Sequence, residues 1–111
     1  MNKTVKKQWV KALRSGKYDQ AQEVLRTEDN KFCCLGVLCD LQVPNLWKKT
    51  NEKCWILRAK DSDGDIAKEQ LPVVLQDRLN ISSSQQEALI ELNDSSGANF
   101  EEIASWIEEN L

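Results

Sequence analysis

Between Lys3 and Ser15 the apolar residues Val5, Trp9, Ala12 and Leu13 recur at helical spacing, and Gly16 stands where a left-handed C-terminal cap is expected. The pattern predicts an amphipathic first helix. Residues 18 to 26 fit helix and strand equally, but Val24 and Leu25, the turn-rich Glu28-Asp29-Asn30 and then Lys31 to Cys33 predict a short hairpin. From Phe32 to Leu41 only Asp40 breaks the apolar run, and Leu35, Leu38 and Leu41 share one helical face. A buried helix from about Cys34 to Gln42 follows, ended by Val43-Pro44, because the residue before proline avoids the helical region.

Trp47 to Asn51 reads as a polar loop. Cys54 to Ala59 alternates weakly, Asp61-Ser62-Asp63-Gly64 is a turn signal, and Asp65 to Lys68 returns as a partner strand, giving a second hairpin. Leu71-Pro72 opens a helix lined on one side by Leu71, Val74, Leu75 and Leu79. Ser82, Ser83 and Ser84 each have Gln or Glu three residues on, so a capping box starts the next helix, whose apolar face is Ala88, Leu89 and Leu92. Asn99, with Glu102 three residues later, caps a final helix striped by Phe100, Ile103, Ala104, Ile107 and Leu111. The fold class is therefore α+β: a mainly helical single domain, residues 1 to 111, with one or two short β-hairpins packed on a central buried helix.

Composition agrees with one core. For 12.7 kDa, area scaling gives roughly 6,200 Å² exposed when folded against about 18,400 Å² unfolded. With 41% hydrophobic and 30% charged residues, the chain is neither disordered nor collagenous. Its longest apolar run, Phe32 to Cys39, is too short to span a bilayer, and the N-terminus lacks a signal-like apolar stretch, so a cytoplasmic protein without membrane association is expected.

The net charge of −3 hides a division. Residues 1 to 17 carry Lys3, Lys6, Lys7, Lys11, Arg14 and Lys17 and no acid, whereas residues 79 to 111 carry only acids among their charged side chains. The basic end reads either as a phosphate-binding face or as a solvated face beside the acidic C-terminal helices. A pI of 5.0 favours the second and makes duplex nucleic acid an unpromising partner.

Chemistry is constrained by what is missing. The chain has no histidine, which removes the commonest general base and the commonest zinc ligand. Cys33, Cys34, Cys39 and Cys54 lack the C-x2-C knuckle that brings two thiolates onto one ion, so no metal and no other cofactor is expected, and buried reduced thiols are the simplest reading. A thiol at a helix N-terminus, Cys33 or Cys34, is the alternative: a nucleophile with a lowered pKa. Asp61, Asp63 and Asp65 around Gly64 suggest part of a calcium loop, but Ile66 and Pro72 stand where an EF-hand needs Gly and Glu. A turn is the simpler account. Trp9 and Trp106 adjoin the apolar stripes and belong at least partly to the core.

Two segments carry a resemblance. Phe32-Cys33-Cys34-Leu35-Gly36-Val37-Leu38-Cys39-Asp40-Leu41, preceded by Trp9 to Tyr18 and by Leu25-Arg26, resembles small tailed-phage and prophage proteins of unassigned function. Leu92-Asn93-Asp94 followed by Asn99 to Glu108 is similar to the same group. The likeness leaves out the middle, residues 43 to 70. It implies an accessory protein made in a bacterial cytoplasm, and such proteins commonly act by binding. On this reading the chain is a non-enzymatic anti-defence protein. It either sequesters a nucleotide-like signalling molecule or binds a host defence protein. A cysteine-dependent enzyme using Cys33 or Cys34 is the alternative. For a nucleotide, an arginine or lysine would meet phosphate and an aromatic would stack on the base. Arg26, Trp47, Lys48, Trp55, Asn93 and Asp94 are the residues expected to bind it, in a pocket that a homo-oligomer would suit.

Overall fold

The run Cys34–Gln42 forms the central helix, α2, and its burial organises the rest. A computed structural model describes residues 1–50, 53–58, 66–67 and 69–111 of the chain, with the backbone alone considered at 66–67. Leu35, Val37, Leu38 and Cys39 are fully buried, and each large aliphatic side chain so removed from water contributes about 1.5–3 kcal/mol. Cys33 is the N-cap, its Sγ accepting the Gly36 N–H at 3.4 Å. At the far end the Val43 N–H closes on the Cys39 carbonyl at 2.8 Å, and Pro44 follows, as the proline rule predicts.

Gly36 sets the distance between α2 and the preceding segment. A Cβ there would lie 1.9 Å from the Leu25 carbonyl oxygen, so any larger residue is excluded by backbone and not by a movable side chain.

Among the described residues two α-helices pack directly on α2, and two more complete the helical part of the domain. Helix α1, Lys3–Arg14, begins at Asn2, whose side chain accepts the Thr4 and Val5 N–H groups, and buries Trp9, Val10 and Leu13. Its Trp9 indole is wholly buried and donates to the Cys34 carbonyl at 2.9 Å, locking α1 to α2. Gly16 follows with φ +76°, the left-handed conformation expected after the helix. Helix α3, Val73–Leu79, buries Leu75 and Leu79. Val74 was expected on that apolar side but is 43% exposed, because a helix this short turns only the 75/79 edge inward. Helix α4, Ser83–Ile90, starts with a Ser82/Gln85 capping box, and α5, Phe100–Asn110, with an Asn99/Glu102 box. Helix α1 packs on both α5 and α2, and α2 on α4. Among the described residues no helix is long and apolar enough to cross a membrane.

The β structure departs further from expectation. Strands β1, Asp19–Gln20, and β2, Lys31–Phe32, pair in parallel, and the antiparallel pairing expected around Glu28-Asp29-Asn30 reduces to a single Arg26–Phe32 bridge that closes a tight turn. The turn is held by backbone bonds, Thr27 N–H to the Lys31 carbonyl at 2.8 Å and Asn30 N–H to the Thr27 carbonyl at 3.0 Å, and by the Thr27 and Asn30 side chains, with Asn30 at φ +64°. Trp47–Lys49 is not a loop but strand β3, paired antiparallel with β4, Trp55–Arg58, which in turn pairs with β5, Ile66–Ala67. Lysine-rich composition masked a strand whose one inward residue, Trp47, supplies the burial. The β4–β5 pairing is the second expected hairpin; its Asp61–Gly64 turn, and with it the calcium reading of Asp61, Asp63 and Asp65, lies outside the described residues.

Candidate functional site

Six residues were expected to converge, and the structure brings only three of them together. Arg26 is held by its own backbone, which bridges Phe32 on one side and accepts the Trp55 N–H at 2.9 Å on the other. Its guanidinium carbon therefore lies 3.9 Å from the Trp55 ring centroid, 5.3 Å from Trp47 and 5.2 Å from Phe32. Asn30 Oδ1 accepts from the same guanidinium at 3.0 and 2.6 Å. Stacking on a tryptophan face is worth about 0.5–2 kcal/mol, more as the pair loses water.

Behind this stack stands a carboxylate. Asp40, near the end of α2, accepts the Tyr18 hydroxyl at 2.7 Å and the Trp47 indole N–H at 3.1 Å. Tyr18 packs edge-on against Phe32, with centroids 5.1 Å apart. Burial first, and then the Asp40 carboxylate, push the Tyr18 phenol up to about 12. Burial also lowers the Arg26 pKa, opposed by the field of Asp40 and Tyr18. The Trp55 indole N–H is buried and has no acceptor among the described residues.

Lys48 does not join them. Strand alternation places Trp47 and Lys49 on one face of β3 and Lys48 on the other, where it is exposed. Lys49 instead approaches Trp55, its Nζ 5.9 Å from the ring centroid.

Asn93 and Asp94 form a separate hub, in which the Asn93 amide is fully committed. They lie in a π-helical turn, Glu91–Ser95, that extends α4 and turns Asn93 inward until it is 1% exposed. Asn93 Oδ1 accepts from Cys34 N at 3.3 Å and Gln20 Nε2 at 3.0 Å, while Nδ2 donates to the Ala21 carbonyl and to Asp94 Oδ1, both at 2.8 Å. Asp94 also accepts the Glu23 N–H at 3.1 Å. These groups fix the 20–23 segment against α2 and α4 and have no polar atom of Asn93 left to offer a ligand. Asn93 thus has a structural role, while Asp94, only half-buried, also lines a surface groove with Glu23.

A surface groove of about 310 Å³ is lined by Asp94 with Glu23, Glu69, Gln70 and Ile90, and two others flank α1. One, of about 400 Å³, runs between α1 and the end of α5 and is lined by Lys3, Lys6, Lys7, Val10 and Glu108. Another, of about 510 Å³, lies on the opposite flank of α1, beside Ala12, Tyr18 and Leu41. The ridge between them carries Lys3, Lys7 and Lys11, four residues apart and so on one helix face.

A family model described as "Domain of unknown function (DUF8296)" matches residues 1–111. The chain belongs to the DUF8296 family. No curated protein matches it, and neither does any solved structure.

In this DUF8296 chain the four cysteines are free and buried. Cys33 does sit at a helix N-terminus, yet burial pushes its thiol up to about 12, outweighing the lowering by the Gly36 and Leu35 N–H groups. Cys34 and Cys39 are pushed well above the ordinary thiol value, again by burial first. A thiolate at neutral pH is thereby disfavoured at all three. Among the described residues no three His, Cys, Asp or Glu side chains converge as a metal site would require.

What sequence reasoning missed was the Tyr18, Phe32 and Asp40 side of the Arg26 cluster. Tyr18 and Asp40 are 22 positions apart, and no local spacing signals that the turn after Gly16 carries one onto the other.

Proposed function

We propose that this chain acts by binding and not by chemical transformation, as a phage-type accessory protein in a bacterial cytoplasm whose partner is a host defence protein with an acidic surface. The lysine row on α1 carries this reading. Lys3, Lys7 and Lys11 have no ion-pair partner among the described residues, because the acids that reach α1, Glu101 and Glu108, are engaged by Arg14 at 3.1 and 2.6 Å. Like charges at that spacing cost a helix about 0.2–0.5 kcal/mol per pair. An acidic partner would turn this repulsion into attraction and would be steered toward the row, at a rate that falls with ionic strength.

A duplex fits less well. It is broad enough to overlap α5, where Glu101, Glu102 and Glu109 are exposed beside the row. A thiol enzyme fits less well still, given the elevated thiols. The nucleotide reading keeps one supporting observation, a buried Trp55 N–H that has no acceptor among the described residues and lies beside a guanidinium. It requires Arg26 to leave the Trp55 face, and a nucleotide at a hundred times its dissociation constant would then add about 2.7 kcal/mol to stability in a thermal-shift screen.

The deciding experiment is affinity purification from infected cells with the wild-type chain and with a Lys3→Glu/Lys7→Glu/Lys11→Glu variant. The expected result is an acidic host protein retained by wild type, lost from the variant, and bound again by wild type when both are purified. Identical retention by the two chains would refute the proposal.

A further inference from the structure

The geometry points to the groove between α1 and the end of α2 as the seat of a single apolar side chain from an acidic segment of the partner. This rests on the lysine row being a docking face and adds where on that face recognition occurs. The floor is apolar: Ala12, Tyr18 and Leu41 are partly buried and packed against the core. Lys11 and Lys17 stand at its rim, and Gln8 closes one end. Gln8 is tied to Gln42 at 3.2 Å, so the two helices that form the walls are joined across the groove's end.

The floor is also braced. Tyr18 donates to Asp40 at 2.7 Å and packs edge-on against Phe32. Such preorganisation lowers the ordering cost that otherwise consumes binding energy. The lysines at the rim lie along a segment, residues 1 to 17, with no acidic side chain, so a segment entering the groove meets cations on both sides of its apolar residue. Charge complementarity therefore selects Asp or Glu flanking a Leu- or Phe-like anchor. The position of the groove supports a peptide over a nucleic acid. Arg14 and Lys6 face Glu101 and Glu108 of α5, while Gln8 and Ala12 lie about half a turn away around the helix, so a narrow chain here avoids the α5 carboxylates.

The test uses the full chain against a random displayed-peptide library, followed by fluorescence anisotropy with the selected peptides. The expected peptides are acidic around one apolar residue. Their affinity should fall about tenfold, or about 1.4 kcal/mol, in a Lys11→Glu/Lys17→Glu variant and in Ala12→Gln, which fills the floor with a good helix former. Thermal melts of both variants confirm that they fold, and the lysine variant, exposed at both positions, stands if Ala12→Gln does not. Selection of peptides without acidic residues overturns the assignment, as does full affinity in a folded Ala12→Gln. If Lys3→Glu/Lys7→Glu weakens binding while Ala12→Gln does not, the lysine row survives and the groove falls. If no charge reversal weakens binding, or a DNA duplex displaces the peptide, both fall.

Discussion

Asn93, buried, and Arg26, half-buried, are both polar residues on short connecting segments, yet they are held in opposite ways. Asn93 uses both atoms of its amide, each twice, and joins the 20–21 segment, the start of α2 and Asp94 through two backbone groups and two side chains. The Arg26 side chain is held mainly by ring faces, its guanidinium hydrogen-bonds to Asn30 of its own turn, and beside it an indole N–H has no acceptor among the described residues. The first arrangement fixes geometry by directional bonds whose loss orphans other groups. The second is softer, since a stacked guanidinium tolerates displacement. The Asn93 hub should therefore behave as structure and the Arg26 cluster as a surface still able to respond.

Gly36→Ala should break both at once, because Gly36 lets α2 meet the Leu25 carbonyl between the two regions. A Cβ at 1.9 Å from that oxygen demands backbone movement, and we expect a loss above about 3 kcal/mol, read as a lower thermal midpoint or as insoluble protein. A variant as stable as wild type would show that the approach is less close. Asn93→Ala comes next. It leaves the Cys34 N–H and Ala21 carbonyl without their partner, at about 1–3 kcal/mol for each buried group, so about 3 kcal/mol is expected by urea denaturation. Asn93→Asp should not rescue it, since the carboxylate cannot donate to Ala21 and would face Asp94. A cost below about 1 kcal/mol for Asn93→Ala would mean that water replaces the amide and that the hub is no hub.

How much of this was legible in the sequence depends on the range of the interaction. The helices and their caps were readable because Ser82 with Gln85, and Asn99 with Glu102, act within one turn. The burial of Leu35 and Leu38 was likewise visible in the run that contains them. Strand β3 was not, because Trp47 gains its burial from Leu57 and Phe32, far along the chain. The same distance hid the hub. Nothing in Leu92-Asn93-Asp94 distinguishes an amide that binds a ligand from one that binds Ala21 and Cys34, and the π-helical turn that aims it inward has no residue signature. The α1 lysine row could be read directly, since it requires only helical spacing and a stretch without acids.

The Arg26 side should yield less. Arg26→Ala removes the stack on Trp55, and about 1 kcal/mol is expected, less than for Asn93→Ala, with a change in tryptophan emission that Asn93 variants at equal stability would not show. Arg26→Lys keeps the charge but loses the planar contact, so it should recover only part of that cost. Equal losses at Arg26 and Asn93 would erase the distinction between the two regions.

The smallest effect lies at high pH. The Tyr18 phenol rises from its ordinary 10.0 to about 12 in the folded chain, because burial and Asp40 both disfavour the phenolate. A group whose folded pKa is raised contributes stability that is fully present below the unfolded value and is lost as pH climbs through the folded one. Wild type should therefore lose this contribution between about pH 10 and 12, whereas Tyr18→Phe, already lacking the bond to Asp40, should lose nothing from this source. The lysines titrate in the same range, but they are common to both chains and cancel in the difference. The gap in unfolding free energy between wild type and Tyr18→Phe should thus be constant from neutral pH to the ordinary phenol value and close above it. A gap that stayed constant throughout would mean that Tyr18 ionises as freely folded as unfolded, and that Asp40 is held by Trp47 alone.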